Sequence, residues 1–452
     1  MSISVLDRLF LGKRCVLAFA LFALPVSTVV AQEEEPAAES QDAATDDEAA
    51  EETSTEDTDT LDLETPDNET PDAESEDAES PANTEEPESP TGTASAEAQA
   101  LLRQAFDASK TAKTEQGLTA LLEICQQALD KGGLDQANTE YLQRLMSWAH
   151  NQRGEAVAED GREEDALADF ETSISLDPKR WQAYYNRGVS FGNLGQLEHA
   201  LADFNRAIKM KPNFAKAYFN RGEVRFAQGE VAAAIGDYNQ AIRLASNSSD
   251  AFNSRGFAYY TQRNRRAAMQ DFERAIRLDP RNVNAYVNRG DAYADAGDYT
   301  RAANDYRAAL RIDPRYGRAY LSWGWVMATA TDQRFRDPQN ALVYANKAIE
   351  LDGDANYRYL DVLAAAQAAS GQYNEAAETQ AQAVALAPPD QANRYRDRLK
   401  LYEAGRPYPD LEARTQPNVR QPVGQPNTRQ SNPRQPQRRQ PVRRSPGNRS
   451  SR

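Results

Sequence analysis

Apolar residues recur with a helical period along residues 147–389, and the helices they predict come in pairs. Aligned on one frame, units begin at Ser147, Trp181, Ala215, Ser249, Val283, Gly317 and Tyr357; the first five intervals are 34 residues and the last is 40. Position 8 of the frame holds Gly154, Gly188, Gly222, Gly256, Gly290 and Gly324, then Ala364. Position 20 is alanine from Ala166 to Ala376, and position 27 is Ser173 and then alanine from Ala207 to Ala383. A glycine inside a helix costs about 1 kcal/mol against alanine. Its return at one phase predicts a neighbouring helix too close for a side chain, with the alanine stripe of the second helix as the matching surface. Tyr184, Tyr218, Phe252, Tyr286 and Tyr320 at position 4 are expected beside Phe204, Tyr238, Phe272 and Tyr306 at position 24. Gly195, Gly229 and Gly297 mark turns between helices, and prolines 178, 212, 280, 314 and 388 at position 32 stop the second helix. Ser246 and Gly353 replace that proline in two units.

At each of these positions the pattern resembles the tetratricopeptide repeat (TPR), over residues 147–389. The resemblance implies an all-α fold, a right-handed solenoid of stacked antiparallel helix pairs, in which no unit buries its apolar face alone. Residues 99–146 carry Leu101, Leu102, Phe106, Leu118, Leu121, Leu122 and Ile124 and fit the frame poorly, so they read as degenerate N-terminal capping helices. Residues 390–405 read as a C-terminal capping helix started by Asp390, with Ala392, Tyr395, Leu399 and Tyr402 inward, ended by Gly405 and Pro407. The sixth unit has a longer turn, 329–338, ending in the helix start Asp337-Pro338.

The resemblance also implies a concave surface, formed by the first helices, that holds a peptide or a partner's segment. Position 5 should point into it: Asn151, Tyr185, Phe219, Asn253, Val287 and Leu321. Positions 2, 9 and 12 flank it and add Lys216, Phe226, Phe257, Tyr260, Asn284, Asp291, Arg318 and Trp325. From these, Tyr185, Phe219, Asn253, Phe257, Tyr260, Val287, Asp291, Arg318, Leu321 and Trp325 are the candidate groove residues. Aromatic side chains with polar neighbours are the composition of binding hot spots. The alternative is that several, Phe226 above all, pack between neighbouring first helices. Some TPR domains grip a C-terminal carboxylate with Asn at position 9; here that position reads Glu155, Val189, Glu223, Phe257, Asp291 and Trp325, which departs from that mode.

A second regularity is ionic. Position 7 carries Arg153, Arg187, Arg221, Arg255 and Arg289, and position 23 of the same units carries Asp169, Asp203, Asp237, Asp271 and Asp305. Both are lost together in the last two units, as Trp323 with Tyr344 and Leu363 with Thr379. Joint presence and joint loss predict contact, within a repeat or from one repeat to the next.

Charge separates the rest of the chain. The net charge is −17, yet residues 32–98 hold 26 Asp and Glu with no Lys or Arg, residues 413–452 hold 10 Arg with no acid, and residues 99–412 sum to −3. Neither flank has the large apolar side chains needed to offset chain entropy, so 32–98 and 406–452 read as disordered. The basic flank, with Gln-Pro pairs and no aromatic residue, could bind an anionic polymer or the acidic flank; nucleic acid is disfavoured by the missing stacking side chains. Residues 1–31 have a basic front from Arg8 to Arg14, an apolar run from Val16 to Leu24, Pro25, and small residues ending at Ala31. That is the layout of a cleaved secretory signal, implying a periplasmic or secreted, envelope-side location. The other reading is an uncleaved anchor, for which the apolar run is short of the roughly 20 residues a span needs.

Catalytic chemistry has little to stand on. The chain has two cysteines, Cys15 and Cys125, and two histidines, His150 and His199, with no metal-ligand spacing, phosphate loop or nucleophile motif. No cofactor or metal is expected. Two functions compete: an adaptor that binds protein through the concave face, and an envelope tether that acts mainly through its charged flanks.

Overall fold

The computed structural model describes residues 96–353 and 356–409. The signal-like residues 1–31, residues 32–95 of the acidic stretch and residues 410–452 lie outside them. Among the described residues there are seventeen α-helices and no strand. All belong to one unit of the chain, residues 1–408; of the second unit, 409–452, only Pro409 is described.

Helices α1 (Ala96–Ser109) and α2 (Glu115–Lys131) pair ahead of the repeats. Seven pairs follow, each helix packing most heavily on its mate. They are α3 (Gln136–Glu159) with α4 (Glu163–Leu176), α5 (Trp181–Asn193) with α6 (Leu197–Met210), and α7 (Ala215–Ala227) with α8 (Val231–Leu244). Then come α9 (Ser249–Thr261) with α10 (Arg265–Leu278), α11 (Val283–Asp295) with α12 (Tyr299–Ile312), α13 (Gly317–Thr329) with α14 (Pro338–Asp352), and α15 (Tyr357–Ala369) with α16 (Tyr373–Leu386). Helix α17 (Ala392–Glu403) closes the stack.

The turn between paired helices reverses the chain through one left-handed residue. Gly161, Gly195, Gly229, Gly297 and Gly371 have φ between +72° and +82° there, and Arg263 holds the same place in the fourth pair at φ +63°. In the sixth pair a 3-10 turn, Gln333–Phe335, fills the longer connection, and Asp337 caps α14 by accepting from the Asn340 amide at 3.0 Å.

Packing refines two expectations. The glycines at position 8 face a ring rather than the alanine stripe. A Cβ added at Gly154, Gly188, Gly222, Gly256 or Gly290 would stand 2.7–2.9 Å from the ring of Phe170, Phe204, Tyr238, Phe272 or Tyr306, the position-24 residue of the same pair. Where position 24 becomes Ala345, the closest atom to Gly324 recedes to 3.4 Å. The rings beside position 24 come from position 5, with Tyr185–Phe204 centroids at 5.9 Å and Phe219–Tyr238 at 6.0 Å. Position 4 instead lies against the position-7 arginines, with Arg221 5.4 Å from the Tyr218 centroid and Arg255 5.3 Å from that of Phe252.

The ends also differ in detail. The helix expected to begin at Ser147 starts eleven residues earlier, at Gln136, where Asp135 caps it by accepting from the Asn138 amide at 2.9 Å. Helix α1 takes in Ala96–Ala98, the last residues of the acidic stretch. Helix α17 is preceded by Gln391 rather than Asp390, with no side-chain cap, because the turn after Pro388 places the Gln391 and Ala392 amides on the Pro388 carbonyl. Its inward face holds Ala392, Tyr395 and Tyr402 as expected, and Arg398 in place of Leu399.

Candidate functional site

Each of the five arginines at position 7 grips the aspartate at position 23 of its own pair through Nε and Nη2, in two N–H···O bonds of 2.6–2.9 Å. The aspartates are buried, so the planar bidentate fork is what makes the charge tolerable between two helices. The remaining arm reaches the pair before: Arg153 donates to Thr119, Arg221 to Asn205 and Arg255 to Asn239, at 2.7–3.0 Å. The ladder therefore ties helices within a pair by charge and successive pairs by neutral acceptors. Burial works against the Asp169 carboxylate, yet bonds from His150 and Arg153 outweigh it and hold its pKa below the ordinary range.

The first helices are joined to one another by a second set of bonds. Asn186 donates to Asn151 at 3.2 Å, Asn220 to the Tyr185 hydroxyl at 3.0 Å, and Asn288 to Asn253 at 2.8 Å. Where position 6 of the following pair is serine, position 9 is an acid. Glu223 accepts from Tyr238 at 2.7 Å and from Ser254; Asp291 accepts from Tyr306 at 2.9 Å and from Ser322. Burial pushes both carboxyls above the ordinary range, in spite of those hydroxyls and, at Asp291, of Arg318.

Toward the C-terminal end this face opens into a cavity of about 390 Å3. Phe257 and Tyr260 of α9 and Asp291 and Asp295 of α11 line one side. Leu321 and Trp325 of α13 line the middle. Arg358 and Asp361 of α15 face Arg394, Tyr395 and Arg398 of α17, and Tyr408 closes the rim. The Tyr260 hydroxyl donates to Asp295. Arg398 binds Asp361 through two contacts of 2.7 Å and lies 5.5 Å from the Trp325 centroid, while Tyr408 stacks on Trp325 at 5.8 Å. The cavity thus has an acidic wall, an aromatic floor and a guanidinium wall.

Five of the ten groove candidates meet there: Phe257, Tyr260, Asp291, Leu321 and Trp325. Arg318 lies beside them, donating to Asn288 at 2.5 Å and Asp291 at 3.2 Å, and Asn253 is half-buried in the amide set. Tyr185 is half-buried against Phe204 and Phe214, away from the cavity. Two candidates offer no surface to a ligand. Val287 is 0% exposed, packed between pairs in the core with Tyr306 and Val326. Phe219, 6% exposed, fills the core beside Tyr238. Phe226 is buried too, its ring tilted against that of Phe257 with centroids 5.7 Å apart. The α15 and α17 walls had no signal as a site in the frame. Asp361 stands at position 5 of a unit whose ladder is gone, and its partner Arg398 lies outside the repeats.

The family model for the tetratricopeptide repeat matches residues 185–249 and 255–316. No curated protein matches the chain. Among solved structures, MamA is 23% identical, covering 36% of this chain and 95% of its own, with TM-score 0.33. YrrB, a TPR protein with an unusual peptide-binding site, is 20% identical over 44% of this chain and 96% of its own, with TM-score 0.35. A tetratricopeptide repeat protein from Parabacteroides merdae is 19% identical over 60% of this chain and 99% of its own, with TM-score 0.45.

Proposed function

We propose that this chain, which carries tetratricopeptide repeats, is an adaptor without a catalytic centre of its own, which holds an extended segment of a partner protein in the concave face. Stacked helix pairs of this family form protein-interaction scaffolds; the finer reading rests on the cavity between α9, α11, α13, α15 and α17. It is large enough for one or two side chains and combines an apolar aromatic floor with charges of both signs. Such sites gain affinity from ring burial and orientation from the polar rim. Its carboxylates are held by hydroxyl and guanidinium donors in fixed positions, an arrangement suited to recognition. The signal-like layout of residues 1–31 supports action outside the cytoplasm as part of the same proposal, which cell fractionation would check.

Affinity capture with the full chain tests the reading. Replacing Leu321 and Trp325 by Ala should abolish capture of the main partner, with helical content nearly unchanged at the temperature of the assay. Capture that survives both substitutions would rule out the cavity.

A further inference from the structure

The outer surface of the fourth and fifth pairs is strongly basic. Ten arginines between Arg263 and Arg315 are exposed, on α10, α12 and the turns around them. Along the same stretch the one exposed carboxylate is Asp295, which lines the cavity on the first-helix side. Part of this has a plain structural cause. Lys209, Arg243, Arg277 and Arg311 recur at position 29, in the last turn of α6, α8, α10 and α12, where a cation complements the helix dipole. One cation per outer helix covers that need. The remaining arginines, Arg266, Arg274, Arg281 and Arg315 among them, exceed it.

A second observation points the same way. Arg263 stands at φ +63° where the first, second, third, fifth and seventh pairs have glycine. An L-residue there carries backbone strain that glycine avoids. The turn keeps a cation against that cost, on the edge of the arginine-rich surface.

We propose that the acidic stretch of this same chain, residues 32–95, docks on the arginine-rich outer face of α10 and α12. It holds 25 Asp and Glu and no Lys or Arg, so its charge complements the face directly. It ends where α1 begins, at Ala96. From the α1–α2 pair to α10 is four steps along the stack, about 40 Å at 8–10 Å between packed helices. Sixty-four residues reach about 200 Å when extended, at roughly 3.3 Å each. A tethered segment within reach also acts at an effective concentration near the millimolar range, which favours it over a free polyanion. The contact leaves the concave face open, so it is independent of the adaptor reading.

Energy transfer in the full chain tests the docking. Dyes are placed on Thr60→Cys and Gln270→Cys, with Cys15→Ser; Cys125 is buried. Transfer should be high at about 0.01 M salt and drop by more than half at about 1 M, as screening shortens from about 30 Å to 3 Å. Replacing Arg266, Arg274, Arg281 and Arg315 together by Gln, which spares the dipole-complementing Arg277 and Arg311, should lower it as far at low salt, with nearly unchanged melting. Wild-type transfer in that variant would overturn the proposal, leaving the ten arginines of residues 413–452 as the counter-charge. Transfer between singly labelled chains in a mixture, and none within a chain, would also overturn it.

Discussion

Trp323 and Tyr344 meet edge to face, ring centroids 5.3 Å apart, at the two positions that hold an arginine and an aspartate in the five preceding pairs. One socket between paired helices therefore accepts more than one filling. A bidentate ion pair satisfies it with directed bonds, and an aromatic pair satisfies it with ring contact alone. Arg or Asp by itself would leave a charge without its fork, so the two positions change together.

The socket predicts unequal costs for the same substitution. Replacing Arg289 by Met strips the buried Asp305 of the guanidinium 2.8 Å away and should cost about 3–5 kcal/mol. Replacing Arg221 by Met leaves Arg225 at 2.7 Å from Asp237, so the loss should be smaller by about 1.5 kcal/mol or more. Urea denaturation of the two variants measures the difference; equal losses would remove the claim that Arg225 shares the load.

The fold was legible because its signals repeat. Gly at position 8 in six units and Ala at position 20 in seven mark a recurring close approach of paired helices, although the ring that makes glycine necessary in five of them had to be seen. The arginine ladder was visible as joint gain and loss. The groove was only half legible, since position in the frame does not fix how far a position-5 side chain is covered by its neighbours: Phe219 is in the core as well. Val287 sinks into the core while Leu321 reaches the cavity. The α17 wall was hidden, because a single non-repeating helix has no second copy to compare with.

Glu223 gives a pH dependence of definite sign. Burial raises its folded pKa above the unfolded value of about 4.3–4.5. Its contribution is then fully favourable below the unfolded pKa and is lost as pH rises through the folded one. Glu223→Gln keeps a carbonyl oxygen for the Tyr238 hydroxyl and removes the charge. The variant should be more stable than the parent at neutral pH, with the gain fading toward about pH 4. Thermal melting across that range is the check, and a gain that grows on acidification would contradict the assignment.

Arg263→Gly relieves the left-handed strain of its turn and should raise stability by about 1 kcal/mol. Gly297→Ala, in the equivalent turn at φ +78°, should lower it by a similar amount. Parallel melting curves decide the point. A loss on Arg263→Gly would mean that the arginine side chain stabilises the turn by more than its backbone costs.

The Arg398–Asp361 pair links stability to recognition. Both side chains are under 10% exposed, and Asp361 also accepts from Gln380 at 2.9 Å. Arg398→Met leaves that carboxylate buried without its fork, at a cost of about 3–5 kcal/mol. The cost falls on the last pair, because α17 packs mainly on α16. Hydrogen exchange should therefore quicken in α15–α17 and stay unchanged in α3–α8. Asp361→Leu together with Arg398→Met removes both charges and should recover most of the loss, as apolar replacement of a buried pair commonly does. Capture need not recover with it. If the guanidinium over Trp325 takes part in recognition, the double variant will be stable and will still bind weakly. If capture returns with stability, Arg398 serves only to hold α17 in place.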